Sequence, residues 1–357
     1  VVSMKVMFVM PTIRVTHNKK SIFTWAPLIA FCFVLGCQHS NKVSPLPQKR
    51  IFDAIEQIKK ETPEKAAAQI GAWRKQCKKG RALYCYRLGR LFQLGIHLKE
   101  NRYEAFLLFQ RGCENKHKAS CLLAGQLALD SSHSFYAPAT AISSFAKGCQ
   151  LKEARACYEG GVFWLLGEGA QENFNKAATY FGLSCRGEFG PACANLGIMA
   201  QYGIGMAPSR ENASLLFEKG CSFLDPLSCY LAARTFQNQG TVASKNKAIE
   251  YSELSCLGDD ARGCVLRGDL ARQQNRKVPA LDYYRRACEL KNGTGCYRAG
   301  LISKKPVFYF EKACKKNVPE GCVAQGLHEM RQPQSSLVKI AGLFESACSQ
   351  KQAIGCF

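Results

Sequence analysis

"CENKHKASC", residues 113–121, decides the reading of this chain. Two cysteines enclose seven polar or small residues, and apolar runs flank them on both sides. The spacing recurs in nine pairs: Cys77 with Cys85, Cys113 with Cys121, Cys149 with Cys157, Cys185 with Cys193, Cys221 with Cys229, Cys256 with Cys264, Cys288 with Cys296, Cys314 with Cys322 and Cys348 with Cys356. The step within a pair is always 8, whereas the steps from pair to pair are 28, 28, 28, 28, 27, 24, 18 and 26. A covalently fixed segment keeps a fixed length, and a connecting segment tolerates insertion and deletion. Cys113 is therefore paired with Cys121, not with Cys85, and the other eight pairs follow the same rule.

Composition points to the same chemistry. The chain has 20 cysteines in 357 residues and no C-x-x-C, so neither the common zinc spacing nor a thioredoxin-like motif is present. So many thiols imply a disulfide framework made in an oxidising compartment. A hydrophobic content of 47% excludes wholesale disorder. The formal charge of +22 favours anionic partners, but it says nothing about fold.

Between the pairs the pattern is helical. In "CYRLGRLFQLGIHLKENRYEAFLLFQRGC" (85–113) one apolar helix runs from Cys85 to about Leu94, a glycine turn follows, and a second runs from about Tyr103 to Gly112. "CANLGIMAQYGIGMAPSRENASLLFEKGC" (193–221) repeats the layout, with Gly203-Ile204-Gly205 at the turn. Four residues after each second cysteine stands Gly89, Gly125, Gly161, Gly197, Gly268, Gly300 or Gly326, with Ala233 in the remaining unit. Glycine inside a helix costs about 1 kcal/mol against alanine, so this column implies close helix packing. Each C-x7-C then spans the turn where the second helix of one unit hands over to the first helix of the next. Closing so short a loop contributes roughly 2–3 kcal/mol.

A period of 36 residues with two helices per unit predicts an all-α fold, an α/α solenoid of about eight helix-turn-helix repeats. The unit, the glycine column, the turns Gly167-Glu168-Gly169 and Gly203 to Gly205, and the paired cysteines resemble Sel-one-like repeats. More narrowly they resemble the secreted, cysteine-rich bacterial subgroup with disulfide-bridged copies. The resemblance covers about residues 62–357. Units after residue 256 are shorter, and the one between Cys296 and Cys314 is the shortest. Ile51–Glu61 reads as an amphipathic capping helix, with the first repeat helix starting at Thr62-Pro63.

The N-terminal stretch "NKKSIFTWAPLIAFCFVLGC" (18–37) reads as a bacterial export signal. Lys19 and Lys20 precede an apolar run that is interrupted by Pro27 and is shorter than the ~20 residues of a bilayer span. Val34-Leu35-Gly36-Cys37 resembles a lipobox, which implies a lipid on Cys37. By the same resemblance, Gln38 after that cysteine implies an outer-membrane lipoprotein facing the periplasm; an unprocessed lipobox would imply secretion. Residues 1–36 are thus read as the signal, 37–50 as a flexible tether and 51–357 as the repeat array.

Catalytic readings are weak. Some members of the resembled subgroup are named for β-lactamase or penicillin-binding activity, a chemistry that needs S-x-x-K with S-D-N and K-T-G elements. Ser144/Lys147, Ser244/Lys247 and Ser336/Lys339 fit the first element, and neither of the others accompanies them. Lys147 also belongs to a basic column, two residues before the first cysteine, with Lys75, Arg111, Lys219, Arg286 and Lys312. His328-Glu329 lacks the second histidine of a zinc helix, and His117 and His133 read as solvated turn residues. The sequence calls for no metal and no cofactor. Binding remains, on the first helices, where Arg87, Arg90, Asn195, Arg234 and Arg298, with Asp269, occupy two columns that vary in polarity. The expectation is a monomeric, non-catalytic adaptor for a protein, peptide or anionic envelope component, with export excluding nucleic acid. A β-lactamase or penicillin-binding hydrolase is the alternative.

Overall fold

The computed structural model describes residues 54–131, 136–167, 171–332 and 336–349, and these are all-α. A short helix, α1 (54–59), precedes α2 (Pro63–Lys78). Ile55 and Ile58 of α1 are buried against Ile70 and Trp73 of α2. Eight antiparallel pairs follow: α3 (Ala82–Leu94) with α4 (Arg102–Glu114), α5 (Lys118–Ala128) with α6 (Pro138–Gln150), α7 (Ala154–Leu166) with α8 (Phe174–Arg186), and α9 (Gly190–Tyr202) with α10 (Arg210–Ser222). Then come α11 (Pro226–Gln239) with α12 (Val242–Leu257), α13 (Ala261–Gln273) with α14 (Lys277–Glu289), α15 (Gly293–Ile302) with α16 (Pro306–Cys314), and α17 (Pro319–Glu329) with α18 (Leu337–Ser349).

Local signals set the ends of these helices. Asn101, Asn173, Ser209, Asp225, Thr241 and Asn292 each accept a backbone N–H of the first turn through the side chain. Gly95, Gly167 and Gly203 close α3, α7 and α9 in the left-handed conformation, with φ of 65°, 67° and 68°. At the other end of each unit the hand-over turn also needs a left-handed residue, three positions after the first cysteine. Lys116, Lys152, Glu188, Leu224, Asp259, Lys291 and Asn317 fill that position with φ between 56° and 65°.

Disulfides bridge eight of these turns, each within its own C-x7-C. Cys77 of α2 is bonded to Cys85 of α3, Cys113 of α4 to Cys121 of α5, Cys149 of α6 to Cys157 of α7, and Cys185 of α8 to Cys193 of α9. Cys221 of α10 is bonded to Cys229 of α11, Cys256 of α12 to Cys264 of α13, Cys288 of α14 to Cys296 of α15, and Cys314 of α16 to Cys322 of α17. The Cα atoms of Cys113 and Cys121 lie 4.5 Å apart and those of Cys149 and Cys157 lie 4.6 Å apart, within the ordinary bridging range. Burial goes with the bond: Cys157, Cys229 and Cys264, on the first-helix side, are 3%, 1% and 0% exposed, so the staples are part of the core. Cys348 lies in α18, and its partner position Cys356 lies outside the described residues, as do the signal, Cys37 and the tether.

The core follows from one close contact repeated along the array. A Cβ added at Gly161 would stand 2.7 Å from the ring of Phe181, and one at Gly197 would stand 2.5 Å from Phe217. Gly89 meets Phe109, Gly125 meets Phe145, Gly268 meets Tyr284, and Gly300 meets Phe310 in the same way. The glycine lets the second helix lay an aromatic ring on the backbone of the first. Where the column carries Ala233, the matching position carries Ser252, and the aromatic role passes to Tyr251 stacked on Phe236 at 5.7 Å. First helices of successive units also pack on one another: α5 on α7, α9 on α11, α11 on α13 and α13 on α15. Among second helices α4 packs on α6. The first helices therefore form the closer, inner row.

Candidate binding surface

The polar positions read from the sequence all lie on first helices. On α3, the Arg87 guanidinium stands 5.3 Å from the Trp73 ring centroid and 5.5 Å from that of Tyr84. Its Nε is buried and has no hydrogen-bond partner. Arg90 donates to Gln93 at 2.6 Å. On α15, Arg298 donates to Asp269 of α13 at 2.7 Å, and the Tyr284 hydroxyl donates to the same carboxylate at 2.6 Å. Burial and that carboxylate push the Tyr284 hydroxyl far above its ordinary range. Arg298 therefore acts as a strut between units.

Asn195 of α9 and Arg234 of α11 come together. They line one cavity of about 320 Å³ on the inner row, with Tyr202, Tyr230, Asn238 and Arg262 among its other walls. Arg87, Arg90 and Arg298 are not part of it. Tyr230 is the centre of the arrangement. The Arg262 guanidinium lies 4.9 Å from its ring centroid and that of Arg234 lies 6.0 Å away, while Arg234 also donates to the Tyr230 hydroxyl at 3.4 Å. Arg262 is neutralised by Asp260 through bonds of 2.9 and 2.6 Å, which hold its charge firmly on. Arg234 is exposed and has no carboxylate within ion-pair distance among the described residues. Burial pushes up the ionisation of the Tyr158 hydroxyl, and Asn195 opposes that shift. The cavity thus offers one uncompensated cation, amide groups and aromatic walls. These groups can bind and orient a partner.

The sequence reading missed Tyr230 and Arg262. A signal for Tyr230 was present: Tyr86, Tyr158, Tyr230 and Tyr297 each follow the second cysteine of a pair directly. Arg262 carries none, because it reaches the cavity from the start of the next unit.

The serine–lysine matches have other roles. Ser144 is buried in α6, and Lys147 reaches back to the carbonyl of Glu114, the last residue of α4, at 3.4 Å. Arg111 makes the same reach to the Lys78 carbonyl at 3.5 Å, so these two members of the basic column meet the carbonyl end of the preceding second helix, whereas Arg286 pairs with Asp259 at 2.9 Å. Ser244 is buried in the Thr241 cap, and Lys339 is held by Glu329 at 2.7 Å. His117 corrects an expectation, since it is half-buried and not solvated. Its Nδ1 accepts the Ser120 N–H at 3.2 Å as the cap of α5, and its ring lies tilted against that of Tyr86 at 4.8 Å. Burial first, and the Lys118 charge second, lower its pKa to about 4. Among the described residues there is no His/Cys/Asp/Glu group that could hold a metal ion, and no helix long and apolar enough to cross a membrane.

The Sel1 repeat pattern matches residues 82–117, 154–188, 190–222, 226–260 and 263–292. Each match starts at or near the beginning of a first helix and runs into or close to the following hand-over turn. No curated protein sequence gives a significant match. Among solved structures, a protective antigen of uropathogenic Escherichia coli displaying an SLR fold superposes with a TM-score of 0.68 at 17% identity, covering 81% of this chain and 66% of its own. A Sel1 repeat protein from Oxalobacter formigenes superposes with a TM-score of 0.62 at 17% identity, covering 81% of this chain and 88% of its own. At that identity the likeness is one of fold. Arrays of this kind generally serve protein–protein interaction. Paired helices, glycine column and repeat matches fall in one register, and the chain carries an array of Sel1 repeats across residues 82–292.

Proposed function

We propose that this is an exported, lipid-anchored, non-catalytic adaptor that binds a segment of a partner protein along its inner row of helices. The observation that carries the reading is the cavity between α9 and α11, where the unpaired Arg234 stands beside Tyr230 and Asn195. An aromatic wall with one free cation suits a peptide that carries a carboxylate. Eight disulfides among the described residues support an oxidising, extracytoplasmic compartment. The apolar stretch before Cys37 supports export, and Gly36-Cys37-Gln38 supports a lipid on Cys37 and retention at the outer membrane, facing the periplasm. In this reading residues 1–36 are the signal, 37–50 the tether and 51–357 a monomeric array.

The test uses a photo-crosslinking amino acid in the intact envelope, placed at Tyr202 on the cavity wall or at Leu215 on α10. Crosslinks to a discrete protein from position 202, absent from 215 and lost with Arg234→Glu, are expected. Labelled palmitate should enter the chain and be lost with Cys37→Ala. Equal crosslinking from both positions, or nitrocefin turnover by the oxidised protein that Ser144→Ala abolishes, would overturn the adaptor reading.

A further inference from the structure

A second recess, of about 810 Å³, lies between the second helices α14 and α16. Its origin is the shortened unit. Helix α15 has 10 residues and α16 has 9, against 13 in α14, and only Ser303–Lys305 connect α15 to α16. Helix α16 therefore leaves the first turn of α14 uncovered, and Val278 and Phe308 stay 74% and 51% exposed. Val278, Leu281, Ile302 and Phe308 supply an apolar lining, while Lys277, Lys304 and Lys305 flank it. None of these three lysines has a carboxylate partner among the described residues. The acid in the lining, Asp282, already faces Arg285 at 3.5 Å. Lys312 adds a fourth cation, with its ammonium 4.1 Å from the Phe308 ring centroid.

We infer that this recess is a second docking site, for an acidic amphipathic segment of a partner protein. Such a segment would lay aliphatic side chains on Val278, Leu281 and Phe308 and set carboxylates against Lys277, Lys304 and Lys305. Concavity decides against a bilayer: a lipid surface takes apolar side chains that protrude into it, and here they line a recess. The site is built from α14, α16 and the end of α15 with its connection, and it shares no lining residue with the inner-row cavity.

The experiment uses the oxidised full chain and three probes. These are a fluorescein-labelled peptide with leucine at i, i+3, i+4 and i+7 among glutamates, the same peptide with lysine for glutamate, and vesicles containing phosphatidylglycerol. Anisotropy should show saturable binding of the acidic peptide and none of the basic one. Lys304→Glu/Lys305→Glu and Val278→Asp should each weaken it at least tenfold, whereas Lys65→Glu/Arg74→Glu on α2, with the same charge change, should leave it within twofold. All the altered side chains are exposed, and circular dichroism of each variant verifies the fold. No binding of the acidic peptide, or equal weakening by the α2 variant, overturns the proposal. Vesicle co-sedimentation that the Lys304→Glu/Lys305→Glu variant abolishes would assign the recess to lipid and overturn it as well.

Discussion

At the scale of the residue, Gly197 and Phe217 behave as one unit of packing. Alanine is favoured over glycine inside a helix by about 1 kcal/mol. A Cβ at 197, however, would stand 2.5 Å from a fully buried ring, and overpacking of that kind costs roughly 1–3 kcal/mol. Gly197→Ala should therefore destabilise by up to about 2 kcal/mol in urea titration. Combined with Phe217→Ser it should cost less than the sum of the two single changes, because Ala233 and Ser252 already form such a couple. The glycine column is plain in the sequence because it counts forward from a cysteine. Its aromatic partners were overlooked because they count backward from the next cysteine, across a segment of variable length. Leu224 offers a second test. It sits 77% exposed at a φ of 59°, a conformation that disfavours branched side chains, so Leu224→Gly should raise stability by about 0.5–1 kcal/mol. His117 supplies a third. Its Nδ1 accepts the cap bond, so a proton there breaks the cap, and the folded pKa of about 4 lies below the unfolded 6.5. A depressed base binds fewer protons folded than unfolded, so its contribution is whole above pH 6.5 and is lost as pH falls toward 4. With discounting for partial exposure, the wild type should lose on the order of 1–2 kcal/mol more across that window than His117→Asn, which keeps a cap.

At the scale of the element, the hand-over turn gathers most of what specifies the fold. It carries the left-handed residue and the disulfide, in four units a side-chain cap of the next helix (His117, Asp225, Asp260 and Asn292), and in two a basic side chain on the preceding helix end. Each part answers a need of a helix terminus: unpaired carbonyls at one end and unpaired N–H groups at the other. The disulfide and the two helices were readable from cysteine spacing and hydrophobic period. Starts were less so: α3 begins at Ala82, three residues before Cys85, and Arg81 ahead of it makes no side-chain cap that would mark the start. Replacing Cys185 and Cys193 together by alanine should cost about 2–3 kcal/mol, from the entropy restored to the unfolded chain. Hydrogen exchange should then quicken at α8 and α9 first, since repeat arrays open locally.

At the scale of the whole molecule, an array of thin two-helix layers makes each unit depend on its neighbours and on its bond. Full reduction should therefore remove far more stability than a domain of this size holds, and the far-ultraviolet helical signal of the reduced chain should collapse at a temperature where the oxidised chain keeps it. The same linear design explains why the inner-row cavity was only half readable. Asn195 and Arg234 belong to adjacent first helices and share a column logic, but Arg262 enters from the following unit, and only the superhelical packing brings it to Tyr230. The recess at α14 and α16 was foreshadowed by the step of 18 between Cys296 and Cys314, although spacing alone does not say which apolar residues that shortening uncovers.

The most direct measurement is disulfide mapping by mass spectrometry of unreduced protein recovered from the cell envelope. The account predicts that every described pair is closed within its own C-x7-C, from Cys77–Cys85 to Cys314–Cys322, with no free thiol among those cysteines. Free thiols throughout, or bonds that join one pair to another, such as Cys85 to Cys113, would contradict both the stapled array and the oxidising compartment assigned to it.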